Sequence, residues 1–190
     1  MKLIFATQNQ AKVAETKKVL APYGIEVCCL PVAFVEPDSG TVEETARAKL
    51  EQVKQQGLDP VMVDDAGIYF AAYPDFPGVL SKRIVQRIGY KGIRKLLLKE
   101  PREACFKGAI GLYWNGEMKI FCGETRGRII ENIDENEPAC PGFPYDPIFV
   151  PEGGVKVLSQ LSEEELQGYS YRRKALESMA RWLRQKANLQ

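Results

Sequence analysis

Histidine is absent from all 190 residues. That excludes a Ser-His-Asp triad, a Cys-His pair and any histidine zinc site within the chain. Acid–base chemistry therefore falls to carboxylates, lysine, tyrosine or metal-bound water. An excess of one charge is missing as well. The 26 Lys and Arg against 25 Asp and Glu leave a formal net charge of +1. No global basic field advertises a nucleic-acid polymer, and local basic clusters suit a small anion better than a long one. No apolar run approaches the roughly 20 residues needed to cross a bilayer. The N-terminus enters a strand pattern at once, without a signal-peptide core and cleavage site. The expectation is a cytoplasmic protein that partners neither a nucleic-acid polymer nor a membrane. Cysteine is sparse: Cys28, Cys29, Cys105, Cys122 and Cys140 are odd in number and lack CxxC spacing. They read as reduced core thiols, mostly within apparent strands.

What is present fits one soluble globular domain over residues 1–190, with 45% hydrophobic and 27% charged residues. Leu3–Ala6 is an apolar run that predicts a first buried strand. It meets Thr7, Asn9 and Lys12, and Val13–Leu20 continues as a helix. Backbone N–H groups, a positive dipole end and the Lys12 ammonium then converge on one spot that favours a phosphate. An ordinary strand–loop–helix connection with a solvated lysine has the same pattern, so both readings stand at this point.

Pro22-Tyr23-Gly24 predicts a turn, Ile25–Leu30 a second strand and Pro31–Gly40 a loop. Thr41-Val42-Glu43-Glu44 opens a helix as a capping box, and Gly57 stops it. Its apolar stripe is Val42, Ala46, Leu50 and Val53, and Lys49 falls inside that stripe. A lysine there either snorkels outward along its stem or directs its charge into a polar cleft. Val61–Val63 predicts a short strand whose tip carries Asp64 and Asp65, followed by Ala66 and Gly67. Adjacent carboxylates at a strand tip suit magnesium, which takes oxygen ligands and bridges one or two carboxylates to substrate phosphates. An Asp-rich turn capping the strand is the plainer alternative.

Ile68–Ala72 reads as a resumed strand and Tyr73–Val79 as a loop, followed by the basic Ser81-Lys82-Arg83 and a helix over Tyr90–Lys99. Ala104–Trp114 and Glu117–Gly127 alternate around Asn115-Gly116, the strongest short-range hairpin signal, so the sheet is mixed. Asn132–Pro147 is an irregular, proline-rich loop in which Phe143 and Tyr145 either stack on a planar base or plug the core. Ile148–Val150 is a further short strand. Ser162–Leu166 is a capped turn, and Ser170 opens a last helix with the stripe Arg172, Leu176, Met179 and Leu183. Arg172 on the buried face needs a carboxylate, carbonyls or a ligand.

Taken together, ATQNQAK with Glu15, GTVEE with Lys49, VDDAG, PGVLSKR, FCGETRGRI, GFPYDPIFVPEGG and SYRRKAL run collinear over nearly the whole chain. In this the chain resembles the inosine triphosphate pyrophosphatases, which hydrolyse non-standard purine nucleoside triphosphates to monophosphate and pyrophosphate. The resemblance implies an α/β fold: a mixed, elongated central sheet with flanking helices and two lobes around a nucleotide-binding cleft. It implies a magnesium-dependent hydrolase that cleanses the nucleotide pool and forms a homodimer, for which Phe76 and Val79 offer apolar loop residues. Thr7, Asn9 and Lys12 match the triphosphate cradle, with Lys49 and Arg83 completing the phosphate environment. Glu44 and Asp65, with Asp64, match the magnesium carboxylates, and Asp65 also matches the proton acceptor for the attacking water. Phe143 matches the base-stacking ring, Tyr145 and Asp146 its supporting loop, and Arg172 the base-recognition arginine.

The departures cluster at the base-reading end. Ser170-Tyr171-Arg172 stands where the family reads Ser-His-Arg, and Leu166-Gln167 where it reads Lys-Asn. Ala66 replaces a serine, and Pro144 a glycine between the loop aromatics. Phosphate and metal positions are largely kept. The expectation is a competent enzyme whose base preference is altered or broadened, a modified pyrimidine being one candidate. A nucleotide-binding relative without turnover is the reading from another class.

Overall fold

The computed structural model describes residues 1–136 and 143–187. Cys140 and Gly142 lie outside the described residues. The chain divides into two compact units, one of residues 1–65, 108–123 and 171–190, the other of 66–107 and 124–170.

In the first unit, β1 (Lys2–Ala6) pairs in parallel with β2 (Glu26–Leu30), in the register Leu3–Val27 and Phe5–Cys29. It also pairs in parallel with the start of β3 (Val61–Phe70), Ile4 opposite Val61. Helix α1 (Gln10–Leu20) begins where Asn9 caps it, Oδ1 accepting from the Lys12 amide. Helix α2 (Val42–Lys54) begins with the expected capping box and buries Val42, Ala46, Leu50 and Val53 completely. Leu3, Phe5, Val13, Leu20, Met62, Ile110, Leu176 and Met179 share one core. The last three helical positions of the predicted stripe, Leu176, Met179 and Leu183, are buried as its spacing requires.

In the second unit, α3 (Ser81–Leu96) and β4 (Pro77–Gly78) accompany the far half of β3, with Ile68 opposite Gly78. The strands β5 (Glu103–Trp114) and β6 (Glu117–Ile129) each run through both units and are neighbours joined by Asn115 and Gly116, which belong to the first. Those two residues have φ of 49° and 77°, the left-handed pair that a two-residue hairpin requires. Strand β7 (Phe149–Pro151) pairs antiparallel with β6. Helix α4 (Glu163–Tyr169) carries its own capping box from Ser162, and α5 (Tyr171–Ala187), which follows directly in the chain, belongs to the first unit. Among the described residues the sheet has seven strands, ordered β2-β1-β3-β5-β6-β7, with β4 against β3. It is mixed, as the hairpin signal indicated.

Four expectations are corrected. Val61–Val63 and Ile68–Ala72 are not two strands: β3 is continuous over Val61–Phe70, so Asp64 and Asp65 sit mid-strand rather than on a tip. The neighbouring cations described below neutralise them, and the ladder passes through. The basic residues Lys82 and Arg83 lie on the first turn of α3, which starts at Ser81, before Tyr90, and is interrupted by non-helical Gly89. Of the four described cysteines none is fully buried: Cys28 and Cys122 are exposed, Cys105 is half-buried, and half-buried Cys29 packs against the core. Phe76 and Val79 are half-buried, and the Phe76 ring packs edge-on against Phe70 and Tyr73.

Candidate functional site

Mid-strand, β3 carries the most heavily charged buried cluster of the first unit. The Asp64 carboxylate is only 2% exposed. Its Oδ1 accepts from the Lys12 ammonium, and its Oδ2 from Arg172 Nε at 2.7 Å. Arg172 also donates from Nη1 to Glu15 Oε2 at 2.5 Å, and its guanidinium lies over the Tyr171 ring at 5.3 Å. Burial alone raises a carboxyl's pKa, but the charges of Lys12 and Arg172 outweigh it and hold Asp64 well below the ordinary range. Asp64 stays ionised.

Asp65 is arranged differently. Its Oδ1 accepts from Lys49 Nζ at 2.8 Å, and the same ammonium reaches Glu36 Oε1 at 2.6 Å and the Asp64 carbonyl at 3.3 Å. Burial pushes the Asp65 carboxyl up, Lys49 opposes this only in part, and the charge of Asp64 adds to the rise. Lys49 is therefore no snorkelling lysine: it is buried at 4% exposure and its head is shared between two acids. Phe34 lies 5.7 Å from the same ammonium.

The residues expected to cradle a phosphate lie together in one local structure. Thr7 Oγ1 accepts from the Asn9 amide at 3.2 Å, Asn9 caps α1, and Lys12 projects from the first turn to Asp64. Sequence reasoning missed Glu36, because a loop acid without spacing to any motif gives no signal. The resemblance matches Glu44 to the metal. Glu44 is exposed, and its Oε2 accepts from the Thr41 amide at 2.8 Å, which is the capping role. The acid that meets Asp65 through Lys49 is Glu36.

Magnesium is implied by the resemblance, and the donor chemistry fits it. Asp65 and Glu36 supply hard carboxylate oxygens, both now turned to the Lys49 ammonium, and magnesium is ordinarily held by one or two carboxylates together with substrate phosphates. Among the described residues no three acidic, cysteine or histidine side chains converge into a complete protein cage.

In the second unit, Tyr145 is fully buried and donates from its hydroxyl to the Ser81 carbonyl at 3.2 Å. Asp146 Oδ2 accepts from the Phe143 amide at 3.1 Å and so fixes the turn. Phe143 is half-buried, edge-on to Phe106 at 5.3 Å. Arg83 is exposed on α3, Ala66 half-buried on β3, Leu166 half-buried and Gln167 exposed on α4. In the first unit, the Tyr171 ring lies where a Cβ on Gly108 would come within 2.5 Å, so only glycine fits beneath it.

A sequence profile of the Ham1 family matches residues 3–182. A dITP/XTP pyrophosphatase of Thermococcus kodakarensis is 40% identical over 187 residues, covering 97% of this chain and 98% of its own. An inosine triphosphate pyrophosphatase of Yarrowia lipolytica is 31% identical, covering 98% of both chains. The solved HAM1 protein of Coxiella burnetii superposes with a TM-score of 0.81 at 27% identity, covering 97% of this chain and 99% of that one. The profile, the full-length identities and the shared fold agree, and the chain belongs to the Ham1 family.

Proposed function

We propose that the chain is a hydrolase of non-standard nucleoside triphosphates, of the inosine and xanthosine class, yielding monophosphate and pyrophosphate. The observation that carries this reading is the pair of adjacent buried carboxylates held in opposite protonation environments by Lys12, Arg172 and Lys49. Pairs of titratable groups pushed apart by their surroundings mark acid–base assignments. Relatives named for dITP, XTP and inosine triphosphate support the substrate class.

In this reading Asp65 accepts the proton of the attacking water, since its raised pKa moves it towards the working range of a general base. Lys12 and Lys49 place positive charge where the phosphate oxygens develop negative charge. Thr7 and the capped start of α1 orient the phosphate chain. Magnesium, held by Asp65 and Glu36 with Asp64 beside them, would supply Lewis-acid neutralisation of the phosphates. Phe143, on a turn fixed by Asp146, is the ring offered to the base. A cytoplasmic homodimer belongs to the same proposal, with sedimentation as its check.

Tyr171, Leu166 and Gln167 favour a variant of this reading, in which the same chemistry serves a changed or broader set of bases. Losing a donor at a base edge alters which base is accepted. A panel of inosine, xanthosine, deoxyuridine and standard triphosphates, scored for pyrophosphate with magnesium, tests both. Release from inosine and xanthosine triphosphates alone rejects the altered preference. No release from any of them, with Asp65→Asn indistinguishable from wild type, rejects catalysis and leaves a nucleotide-binding protein.

A further inference from the structure

Residues 31–37 have no regular secondary structure, yet two of them reach the buried Lys49 head: Phe34 with its ring and Glu36 with its carboxylate. Between them stands Val35, whose side chain is 82% exposed and anchors nothing. What holds this residue is a side-chain amide. Val35 donates its N–H to Gln52 Oε1 at 3.0 Å, and Gln52 Nε2 donates back to the Val35 carbonyl at 2.9 Å. Gln52 Nε2 also reaches the Ala48 carbonyl at 3.3 Å, which steadies the amide on α2. A planar amide that satisfies both polar groups of one residue imitates the edge of a neighbouring strand. It fixes where that residue sits and how its peptide planes are turned.

We infer that Gln52 is a positioning residue for the proposed reaction: it clamps Val35 so that Glu36 is delivered to the ammonium it shares with Asp65. With Val35 locked, its two neighbours Phe34 and Glu36 both meet the Lys49 ammonium, the Glu36 side chain remaining 44% exposed. Lys49 and Gln52 are three residues apart on α2, hence on neighbouring positions of one helical face. One face thus carries the cation and the device that brings the second acid to it. The inference rests on the reading of Glu36 as a magnesium carboxylate. Side chains that orient a metal ligand typically change metal affinity or activity roughly 10–100-fold when removed.

The experiment compares Gln52→Ala, Gln52→Glu and Glu36→Gln with wild type. Three quantities are measured: magnesium binding by calorimetry without substrate, the magnesium concentration for half-maximal pyrophosphate release, and hydrogen exchange at the Val35 amide. Gln52→Ala is expected to speed exchange at Val35 and to weaken magnesium binding about tenfold, with excess magnesium restoring kcat. Gln52→Glu keeps the acceptor for the Val35 amide but loses the donor to its carbonyl, so it falls between. A purely structural glutamine would lower the melting temperature without moving the magnesium dependence. That result, alongside a shifted Glu36→Gln, overturns the clamp and leaves the Glu36 reading standing. An unshifted Glu36→Gln overturns the Glu36 reading and the clamp with it.

Discussion

Two regions of the first unit meet adjacent residues of one strand and treat them in opposite ways. On the side of α1 and α5, Asp64 has both oxygens engaged by cations and is closed to water. On the side of α2, Asp65 meets a single ammonium, which Glu36 divides with it. The first arrangement holds a permanent negative charge that organises Lys12 and Arg172. The second leaves a carboxyl whose proton affinity is raised and whose partner is already shared. One neighbour is held ionised, and the other is the one whose protonation its surroundings leave open to change.

The largest effect expected from breaking this contrast is at Asp65. Asp65→Asn removes the proposed proton acceptor, and turnover should fall about 10²–10⁴-fold, the usual contribution of general base catalysis. Lys49 keeps Glu36 as a partner in that variant, so the urea midpoint should move little. Pyrophosphate release and urea unfolding, measured on the same preparation, separate the two effects. A large loss of stability with modest loss of rate would reverse the assignment of roles.

Asp64→Asn should do the reverse. It strips the buried carboxylate that Lys12 and Arg172 face, and breaking such a buried pair from one side costs about 3–5 kcal/mol. Arg172 retains Glu15, which places the cost towards the lower end of that range. Chemical denaturation measures it directly. An unchanged midpoint would mean that the Asp64 cluster contributes nothing net to folding.

Acid titration sharpens the same comparison with a smaller effect. The folded-state pKa of Asp64 lies below its unfolded value, near 3.9, so its contribution to stability is fully present above that value. It is lost as pH falls through the folded value. Wild type should therefore lose stability more steeply than Asp64→Asn below about pH 4. Asp65 works in the opposite sense: its raised pKa favours the protonated form on folding, so it adds no stability that acid would remove. Parallel acid melts of the two proteins would refute the assignment.

Much of this was legible in the sequence, because local rules and tertiary burial agree there. The Thr41 capping box, the α2 stripe, the Asn115-Gly116 hairpin and the Leu3–Ala6 strand each follow from periodicity or turn chemistry that neighbours do not override. Lys12, Asp64 and Asp65 were legible as chemistry, through residue type at the end of an apolar run. The continuity of β3 was not, since adjacent aspartates end a strand unless cations neutralise them, and those cations come from Lys12, Lys49 and Arg172, distant in sequence. The contact of Glu36 with Lys49 was invisible for the same reason: it comes from a loop, and loop geometry leaves no period in the sequence.

Glu36 and Glu44 give the finest test, because both are acids before or at the start of α2, and the resemblance matches Glu44 to magnesium while Glu36 is the one that meets Lys49. Glu44 accepts from the Thr41 amide, while Thr41 Oγ1 accepts from the Glu44 amide at 3.2 Å, so the two residues serve one helix end. Thr41→Ala should cost about 1 kcal/mol, as loss of an N-cap does. Glu44→Gln should cost less, since an amide oxygen still accepts from Thr41. Neither substitution touches the ammonium that Asp65 and Glu36 share, so the magnesium concentration for half-maximal activity should not move. Thermal melts read the first effect and a magnesium titration the second. A magnesium shift in Glu44→Gln, with Glu36→Gln unchanged, would return the metal to Glu44 and reduce Glu36 to a counter-ion of Lys49.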